Sequence, residues 1–237
     1  MVNFLWAKEC DKFIFVARLN SSDSTVSREI YDQNLIPILE PADYIIENYR
    51  SLTNKVFSSL KYISEKYPNF DWYLKADDDT FIFVDNLKKF VENKNSSDAV
   101  TYGYDVKHLS DNFTYHSGGA SYLLSNEALK LIGDSLRKNY TYCSNTGIED
   151  VDVAKCLNKL GVKQNKSIDE DNRERFHPYD VKIHMKGLFG SWINAAAINP
   201  LKIVSFFFQL IINNSSIISE IKRVSIVVAI LQFHFIT

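Results

Sequence analysis

In the segment Asp71-Trp-Tyr-Leu-Lys-Ala-Asp-Asp-Asp-Thr80 an apolar run leads into three consecutive carboxylates. The apolar part predicts a buried strand over residues 71–76. Adjacent carboxylates repel one another unless a cation offsets their charge, and a hard divalent ion such as Mn²⁺ or Mg²⁺ prefers such oxygen ligands. Because side chains alternate along extended backbone, Asp77 and Asp79 are expected to face one site and Asp78 to face away. A solvated acidic turn is the alternative interpretation.

Outward from this strand, the sequence alternates between strand and helix patterns. Apolar residues at three- and four-residue spacing from Ile45 to Ile63 are typical of one face of a long helix that ends before Pro68. Ser125 is a predicted N-cap, and Gly161 follows the last helix at the position that favours glycine. The predicted elements are strands over 12–17, 71–76, 80–84 and 100–104, a β segment over 115–124, helices over 45–67, 85–93, 125–138 and 147–160, and a polar loop over 18–43.

This order of elements predicts an α/β fold with a mixed, mostly parallel central sheet flanked by helices. In such sheets ligands bind beyond the carboxyl ends of the strands, and Asp77–Asp79 follow one of those ends. The acidic triplet is therefore the first candidate for a functional site.

Composition and charge narrow the classes of function. The chain has 237 residues, of which 46% are hydrophobic and 24% charged, as expected of a folded protein and not of a disordered one. Lys plus Arg number 27 against 29 Asp plus Glu, giving a net charge of −2. This near-neutral charge implies no large basic surface, so binding to nucleic acid is not expected.

Two further motifs carry candidate site residues. Glu149 and Asp150 open the predicted helix over 147–160, where a carboxylate either interacts favourably with the helix dipole or acts as a general base. Gly118 and Gly119 lie in a β segment, where glycine either allows the backbone to approach a ligand or marks a bulge or turn. Both motifs are ambiguous when taken alone.

Three cysteines are present, so at least one cannot pair within the chain. Cys143 and Cys156 are compatible with a disulfide in an oxidising compartment, and three buried thiols are the alternative. Several Asn-x-Ser/Thr sequons favour the secretory pathway modestly. They begin at Asn20, Asn95, Asn112, Asn139, Asn165, Asn213 and Asn214.

The last part of the chain contains two apolar blocks, residues 203–212 and 224–236. Each is shorter than the ~20 residues that span a bilayer as a helix. Buried strands or helices are therefore expected, with a membrane-associated tail as the alternative. His234 lies in the second block, as a core residue or as a further ligand in a carboxylate metal site.

Four segments in this order resemble one family, the β1,3-glycosyltransferases of galactosyltransferase family 31, and its core 1 subgroup most closely. The resemblance extends from about Leu5 to Gly187. It rests on Asp71-Trp-Tyr-Leu-Lys-Ala-Asp-Asp-Asp-Thr-Phe-Ile82, His116-Ser-Gly-Gly-Ala-Ser-Tyr-Leu-Leu-Ser-Asn-Glu-Ala-Leu129, Gly147-Ile-Glu-Asp-Val151 with Cys156, and Arg175-Phe-His-Pro178.

The resemblance implies a GT-A-like nucleotide-sugar-binding fold and an inverting, Mn²⁺-dependent reaction. In that reaction galactose moves from UDP-galactose to the 3-hydroxyl of N-acetylgalactosamine linked to Ser or Thr of a glycoprotein. Two alternatives stay open: a non-catalytic relative that acts as a binding or folding partner, and a β1,3-glycosyltransferase with another acceptor.

Carried over residue by residue, the resemblance implies a role for each motif. Asp77, Asp79 and His234 become metal ligands, and Asp150, beside Glu149, becomes the catalytic base. Cys143 and Cys156 match a pair that the family joins as a disulfide. The implied donor- or acceptor-binding residues are Trp72, Lys75, Asp78, Gly118 and Gly119.

The resemblance also implies an organisation of the protein. Residues 1–190 are predicted to be a GT-A-like catalytic domain that lacks its first strand, and residues 191–237 a divergent apolar segment that packs on the same domain. The full-length form is expected to be a type II protein on the lumenal side of the Golgi membrane, with its anchor outside this chain and homodimer formation as an option.

Overall fold

The computed structural model describes residues 6–17, 28–31, 37–40, 49–198 and 226–231. The helices are α1 (Leu52–Lys66), α2 (Val84–Val91), α3 (Asn126–Lys138), α4 (Glu149–Lys159), α5 (Val181–Lys186) and α6 (Ser191–Ala196). The strands are β1 (Lys12–Val16), β2 (Arg28–Tyr31), β3 (Pro37–Glu40), β4 (Trp72–Asp77), β5 (Val100–Gly103), β6 (Asp105–Lys107), β7 (Thr114–His116), β8 (Tyr122–Ser125), β9 (Lys163–Lys166) and β10 (Ile226–Leu231).

Eight of these strands form one sheet in the order β2-β3-β1-β10-β4-β8-β5-β9, and β6 and β7 form a separate two-stranded ribbon. The α/β class is confirmed, and the sheet is mixed. The expectation of a mostly parallel sheet is wrong. Between the described strands of the large sheet, only β1–β3 and β5–β9 pair in parallel, and the other five pairings are antiparallel.

The error has a physical cause. An alternation of strand and helix patterns does not say which strands become neighbours, because the pairing is decided by tertiary contacts. Strand β10 pairs antiparallel with both β1 and β4. Strand β8 likewise lies antiparallel between β4 and β5. Each such insertion converts a potential parallel pair into two antiparallel pairs.

Two local predictions also fail. The segment over 18–43 contains strands β2 and β3 and is not wholly loop. The segment over 80–84 is not a strand, because the Thr80 amide donates to the Asp77 carbonyl in a turn and α2 begins at Val84. The rings of Phe81 and Phe83 contact each other edge to face and stay exposed, so their apolar character does not reflect a buried strand.

Other boundaries follow the sequence closely. The Ser125 hydroxyl accepts a hydrogen bond from the Ala128 amide at 3.1 Å and caps α3 as predicted. Gly161 follows α4 with a φ of +80°, a conformation that glycine adopts without steric cost. The long helix is confirmed as α1, although Ile45, the predicted first residue of its apolar face, lies outside the described residues.

Strand β4 is buried on both faces, which explains why its sequence is a continuous apolar run instead of an alternating one. Tyr73 packs into a core layer formed with α1, α3 and α4, whereas Trp72 and Leu74 pack into a second layer with α2. The Cys143–Cys156 disulfide joins the first layer, with Cα atoms 5.0 Å apart, so the implied pairing is confirmed.

The apolar tail is described only in part. Residues 226–231 form β10, which agrees with a strand in the second apolar block. Residues 203–212 and His234 lie outside the described residues. None of the helices in the described part of the chain combines the length and the hydropathy needed to cross a membrane.

Candidate active site

A buried ion-pair cluster lies at the carboxyl end of β4. Because side chains alternate along the strand, Lys75 and Asp77 share one face, and α4 brings Glu149 to the same face. The Lys75 ammonium lies 2.6 Å from Asp77 Oδ1 and 3.4 Å from Glu149 Oε2. Lys75 and Glu149 are buried, whereas the Asp77 side chain is 37% exposed. The cluster therefore extends from the protein interior to the surface that carries the acidic triplet.

Tyr122 completes this cluster from the neighbouring strand. The antiparallel register of β4 and β8 pairs Lys75 with Tyr122, and the Tyr122 hydroxyl donates to Glu149 Oε1 at 2.5 Å. The Lys75 ammonium also lies 5.7 Å from the centre of the tyrosine ring. Glu149 is therefore held by two partners from two strands, which fixes the first turn of α4 against the sheet.

Electrostatic coupling sets the charge states in this cluster. Burial opposes the charged form of Lys75, but Glu149 and Asp77 outweigh it and raise the pKa of the ammonium. Burial raises the pKa of Glu149, while the Lys75 ammonium acts in the opposite direction. The lysine is thus kept charged, and it favours the charged form of Glu149.

Asp150 is the carboxylate best placed to face a substrate. Its Oδ2 accepts a hydrogen bond from the Gly118 amide at 2.9 Å, and its Oδ1 accepts from the Val151 amide at 2.9 Å. Burial raises the pKa of Asp150, and the Gly118 hydrogen bond lowers it. A half-buried carboxylate with a raised pKa has the properties of a general base near neutral pH.

Packing is tight around the first glycine of the motif and ordinary around the second. A Cβ atom on Gly118 would lie 3.1 Å from Glu149 Oε2 and 3.4 Å from Asp150 Oδ2. At Gly119 the nearest atom, the Pro178 carbonyl oxygen, would be 3.7 Å away, which is ordinary contact. The structure therefore brings Gly118 against both candidate catalytic carboxylates, and Gly119 lies on the side of the Arg175-Phe-His-Pro178 motif.

Asp152 is a site residue that sequence reasoning missed. It is fully buried, and its carboxylate accepts hydrogen bonds from the Thr53 hydroxyl on α1, from the Thr146 amide and hydroxyl, and from the Gly147 amide. These bonds hold α1 and the loop before α4 in place, and so position Asp150. A third acidic residue in the first turn of α4 was the available signal, but Thr53 is 99 residues away.

We expect Asp152→Ala to lower the free energy of unfolding by about 3 kcal/mol, because it leaves several buried donors without an acceptor. Asp152→Asn keeps the shape and one acceptor oxygen, so its loss should be smaller. Urea denaturation followed by circular dichroism measures both losses. Asp134→Ala, at an exposed position on α3, is the control, and an Asp152→Ala protein no less stable than this control would contradict the assignment.

The acidic triplet leads away from the cluster into a turn. Asp77 is half-buried, Asp79 is exposed, and the next residue, Thr80, accepts a hydrogen bond through its carbonyl from the Trp6 indole at 2.9 Å. Among the described residues, no three His, Cys, Asp or Glu side chains are grouped closely enough to hold a metal ion. The donor set still fits a hard cation bound through one or two carboxylates, with its other positions left to substrate oxygens.

Two of the predicted site residues are not brought to this cluster. Trp72 lies at the opposite end of β4, is 1% exposed and packs 5.9 Å from the Tyr102 ring, so a role in binding substrate finds no support there. His234 lies outside the described residues. Lys75 is brought to the site, but it is buried and binds carboxylates of the protein itself.

A histidine pair follows the Arg175-Phe-His-Pro178 motif. The rings of His177 and His184 lie 4.8 Å apart, and Phe189 packs on the second ring at 5.2 Å. His184 is 2% exposed, and neither of its ring nitrogens has a hydrogen-bond partner among the described residues. Burial lowers the pKa of His184, so the ring is neutral in the folded protein at neutral pH.

The folded protein should lose stability as the pH falls below about 6.5, the pKa of an unperturbed histidine. Below that pH the unfolded chain takes up a proton that the folded chain, with its lowered His184 pKa, resists, so acid favours unfolding. Melting temperatures at pH 7 and pH 5 measure the effect. His184→Phe should reduce the difference between them, and an unchanged difference in this variant would contradict this account.

Part of the chain matches a known protein family. Residues 42–111, which include the acidic triplet, match the family model described as Galactosyltransferase. This segment of the chain is similar to galactosyltransferases. The family resemblance predicted from the motifs is therefore confirmed.

Curated relatives agree with this result. Over 133 residues the chain is 34% identical to glycoprotein-N-acetylgalactosamine 3-beta-galactosyltransferase 1 of Xenopus laevis. The match covers 55% of this chain and 36% of that protein. Human chondroitin sulfate synthase 3 is 29% identical over 66% of this chain and 19% of its own length. UDP-GalNAc:beta-1,3-N-acetylgalactosaminyltransferase 1 of Mus musculus is 27% identical over 63% of this chain and 50% of its own. The chain thus spans half or less of the length of these relatives.

Proposed function

We propose that this protein is an inverting β1,3-galactosyltransferase that moves galactose from UDP-galactose to the 3-hydroxyl of N-acetylgalactosamine on a glycoprotein. The observation that carries the proposal is Asp150, a half-buried carboxylate with a raised pKa, held by the Gly118 amide at the same end of the sheet as the acidic triplet. The matches to galactosyltransferase and β1,3-N-acetylgalactosaminyltransferase relatives support the reaction class.

In this reaction Asp150 accepts the proton of the acceptor 3-hydroxyl as that oxygen attacks the anomeric carbon of galactose. The new bond joins the acceptor oxygen to the anomeric carbon, and the bond from that carbon to the phosphate oxygen breaks, so UDP leaves with the electron pair. Attack from the face opposite the leaving group inverts the configuration. Gly118 holds the Asp150 carboxylate in place, and Lys75 with Tyr122 fixes the neighbouring Glu149.

The proposal includes a divalent cation, with Mn²⁺ as the expected ion. Asp77 and Asp79 would hold it, since carboxylate oxygens are the ligands that such ions prefer. When bound, the ion neutralises negative charge on the leaving diphosphate. His234 as a further ligand, and Asp78 and Lys75 as donor-binding residues, stay predictions.

The cellular setting is part of the proposal. The Cys143–Cys156 disulfide supports an oxidising compartment, as expected on the lumenal side of the Golgi membrane. Membrane anchoring of the full-length form, homodimer formation, and the division at residue 190 are predictions that rest on the family resemblance alone.

A non-catalytic role as a binding or folding partner is the second candidate. The observation that favours a non-catalytic role is that Lys75 is buried. Its ammonium forms ion pairs with carboxylates of the protein itself and does not reach toward a diphosphate. Retention of both the acidic triplet and Asp150 weighs against it, because binding of a protein partner requires neither.

Titration with Mn²⁺ and then UDP, followed by tryptophan fluorescence, separates the two candidates. Trp6 is the expected reporter, because its indole bonds the residue that follows the acidic triplet, whereas Trp72 is remote. A saturable response that is lost in Trp6→Phe is expected, and Asp79→Ala should weaken the apparent Mn²⁺ affinity. Absence of any response in the wild-type protein would overturn the catalytic proposal.

A further inference from the structure

Seven Asn-x-Ser/Thr sequons in the sequence have no part in the proposed reaction. The structure describes those that begin at Asn95, Asn112, Asn139 and Asn165. Those that begin at Asn20, Asn213 and Asn214 lie outside the described residues. A sequon is only a sequence requirement for N-glycosylation. Because a glycan is bulky and solvated, its asparagine has to lie at the surface of the folded protein, so the fold decides which sequons can carry one.

The sequon at Asn139 lies in an exposed turn directly after α3. Asn139 and Thr141 are both exposed, whereas the ring of Tyr140 between them packs edge to face against Phe57. The Asn139 Oδ1 atom accepts hydrogen bonds from the Thr141 amide at 3.1 Å and from the Thr141 hydroxyl at 2.7 Å. The bond to the amide two residues on forms an Asx turn, which holds both functional side chains of the sequon together at the surface.

This turn leaves the reactive atom of Asn139 available. Both hydrogen bonds of the side chain end on its oxygen, and Nδ2 has no partner among the described residues. Hydrogen bonds donated to an amide oxygen polarise the amide and draw electron density away from its nitrogen. Since that nitrogen loses a proton when it is glycosylated, the turn favours the reaction as well as exposing the atom.

The sequon at Asn95 has the same turn in the connection between α2 and β5. Asn95 and Ser97 are exposed, and Asn95 Oδ1 accepts a hydrogen bond from the Ser97 amide at 3.1 Å. Its Nδ2 donates to Asp98 Oδ1 at 3.3 Å. A glycosylated amide nitrogen keeps one of its two protons, so this contact does not have to be lost. Asn95 therefore combines exposure with an Asx turn, as Asn139 does.

The sequon at Asn165 is part of the large sheet. Asn165 is half-buried on β9, where its Nδ2 lies 3.4 Å from the hydroxyl of Tyr102 on the paired strand β5. Ser167 is 1% exposed, and its hydroxyl donates to the Gly103 carbonyl at 2.6 Å. The fold therefore withdraws both functional groups of this sequon, and a glycan there would separate β9 from its neighbour.

The sequon at Asn112 lies between these two cases. Asn112 is exposed in the turn of the β6–β7 ribbon, with a φ of +55°. Its threonine, Thr114, is half-buried on β7, and within the described part of the chain no hydrogen bond joins the two side chains. Asn112 therefore has the exposure of the first two sequons but not their turn.

We propose that Asn95 and Asn139 are N-glycosylation sites and that Asn165 is not. In the modification, Nδ2 attacks the anomeric carbon of an oligosaccharide carried on a lipid diphosphate. The new bond joins the nitrogen to that carbon, the bond from the carbon to the diphosphate oxygen breaks, and the lipid diphosphate leaves with the electron pair while the nitrogen gives up one proton. The modification depends on the lumenal location in the proposed function but not on galactose transfer.

The occupancy of each sequon, measured in folded protein from the secretory pathway, tests the assignment. An added signal peptide directs the whole chain into the endoplasmic reticulum of cultured mammalian cells. The purified protein is treated with peptide-N-glycosidase in heavy-oxygen water, which converts each occupied asparagine to a labelled aspartate, and its peptides are analysed by mass spectrometry. Labelled peptides are expected for Asn95 and Asn139, and an unlabelled peptide for Asn165.

Thr141→Ala and Thr141→Ser form a matched pair for the Asn139 site. Both change an exposed side chain, but only serine keeps the hydroxyl that donates to Asn139 Oδ1. Thr141→Ala should lose the Asn139 label and one step of electrophoretic mobility, while the Asn95 label stays. Thr141→Ser should keep both labels.

An unlabelled Asn95 or Asn139 in the folded wild-type protein, or a label on Asn165, would overturn the assignment. Galactose transfer by protein that carries neither glycan would overturn the modification sites and leave the proposed function standing. Protein that is labelled at both asparagines but transfers no galactose would overturn the proposed function and leave the modification sites standing.

Discussion

Asp150→Asn is expected to lower kcat for galactose transfer by about 10³-fold, the scale on which a positioned general base acts. The asparagine side chain has the same shape and can still accept the hydrogen bond that the Gly118 amide donates to Asp150, so the local structure should survive. What is lost is the group that takes the acceptor proton. The KM for UDP-galactose should change little, because the donor binds before any proton moves.

Steady-state kinetics on the purified protein measure this prediction, with Asp134→Asn as a control that removes the charge of a partly exposed carboxylate on α3, which pairs with Arg137. Since the pKa of Asp150 is raised, the wild-type rate should fall on the acid side at a higher pH than for an ordinary aspartate. A variant that keeps more than a tenth of the wild-type kcat would show that another group is the base.

Lys75→Met is expected to lower the free energy of unfolding by about 3–5 kcal/mol, because removal of one partner leaves a buried carboxylate without its counter-ion. Lys75→Met destabilises the protein through Glu149, which is 7% exposed, more than through Asp77, whose half-buried side chain is partly screened by solvent. For a chain of this size the melting temperature should drop by roughly 10 °C.

A double variant separates the charge effect from the loss of packing. Lys75→Met with Glu149→Gln removes both members of the buried pair, and it should be more stable than Lys75→Met alone, as measured by a double-mutant cycle. Lys89→Met, at an exposed position on α2, should have the same free energy of unfolding as the wild type. A Lys75→Met protein with the same melting temperature as the wild type would contradict the stabilising role of the buried ion pair.

Much of the site was predictable from local sequence. The run from Asp71 to Asp79 predicts a strand that ends in carboxylates, and the structure has that strand as β4. The helix that begins at Glu149 and the cap at Ser125 also follow from short-range signals. These features depend on neighbouring residues, so a sequence pattern is sufficient to find them.

What could not be predicted depends on contacts between distant parts of the chain. The family resemblance implies a substrate-binding role for Lys75, but a lysine two residues before three carboxylates gives no sign that Glu149 will pair with it from another element. The hydroxyl of Tyr122 reaches Glu149 only because β8 pairs with β4 in antiparallel register. The expectation of a mostly parallel sheet is wrong for the same reason, because strand pairing depends on contacts between distant parts of the chain.

A transfer assay measures the proposed reaction itself, the transfer of galactose with Asp150 as the base. Purified protein is incubated with Mn²⁺, UDP-galactose and a peptide that carries N-acetylgalactosamine, and the product is identified by mass spectrometry. The account predicts a β1,3-linked galactose, formed only with the metal and almost absent with Asp150→Asn. Folded protein that responds to Mn²⁺ and UDP but forms no galactosylated product, or forms it equally with Asp150→Asn, would contradict the account.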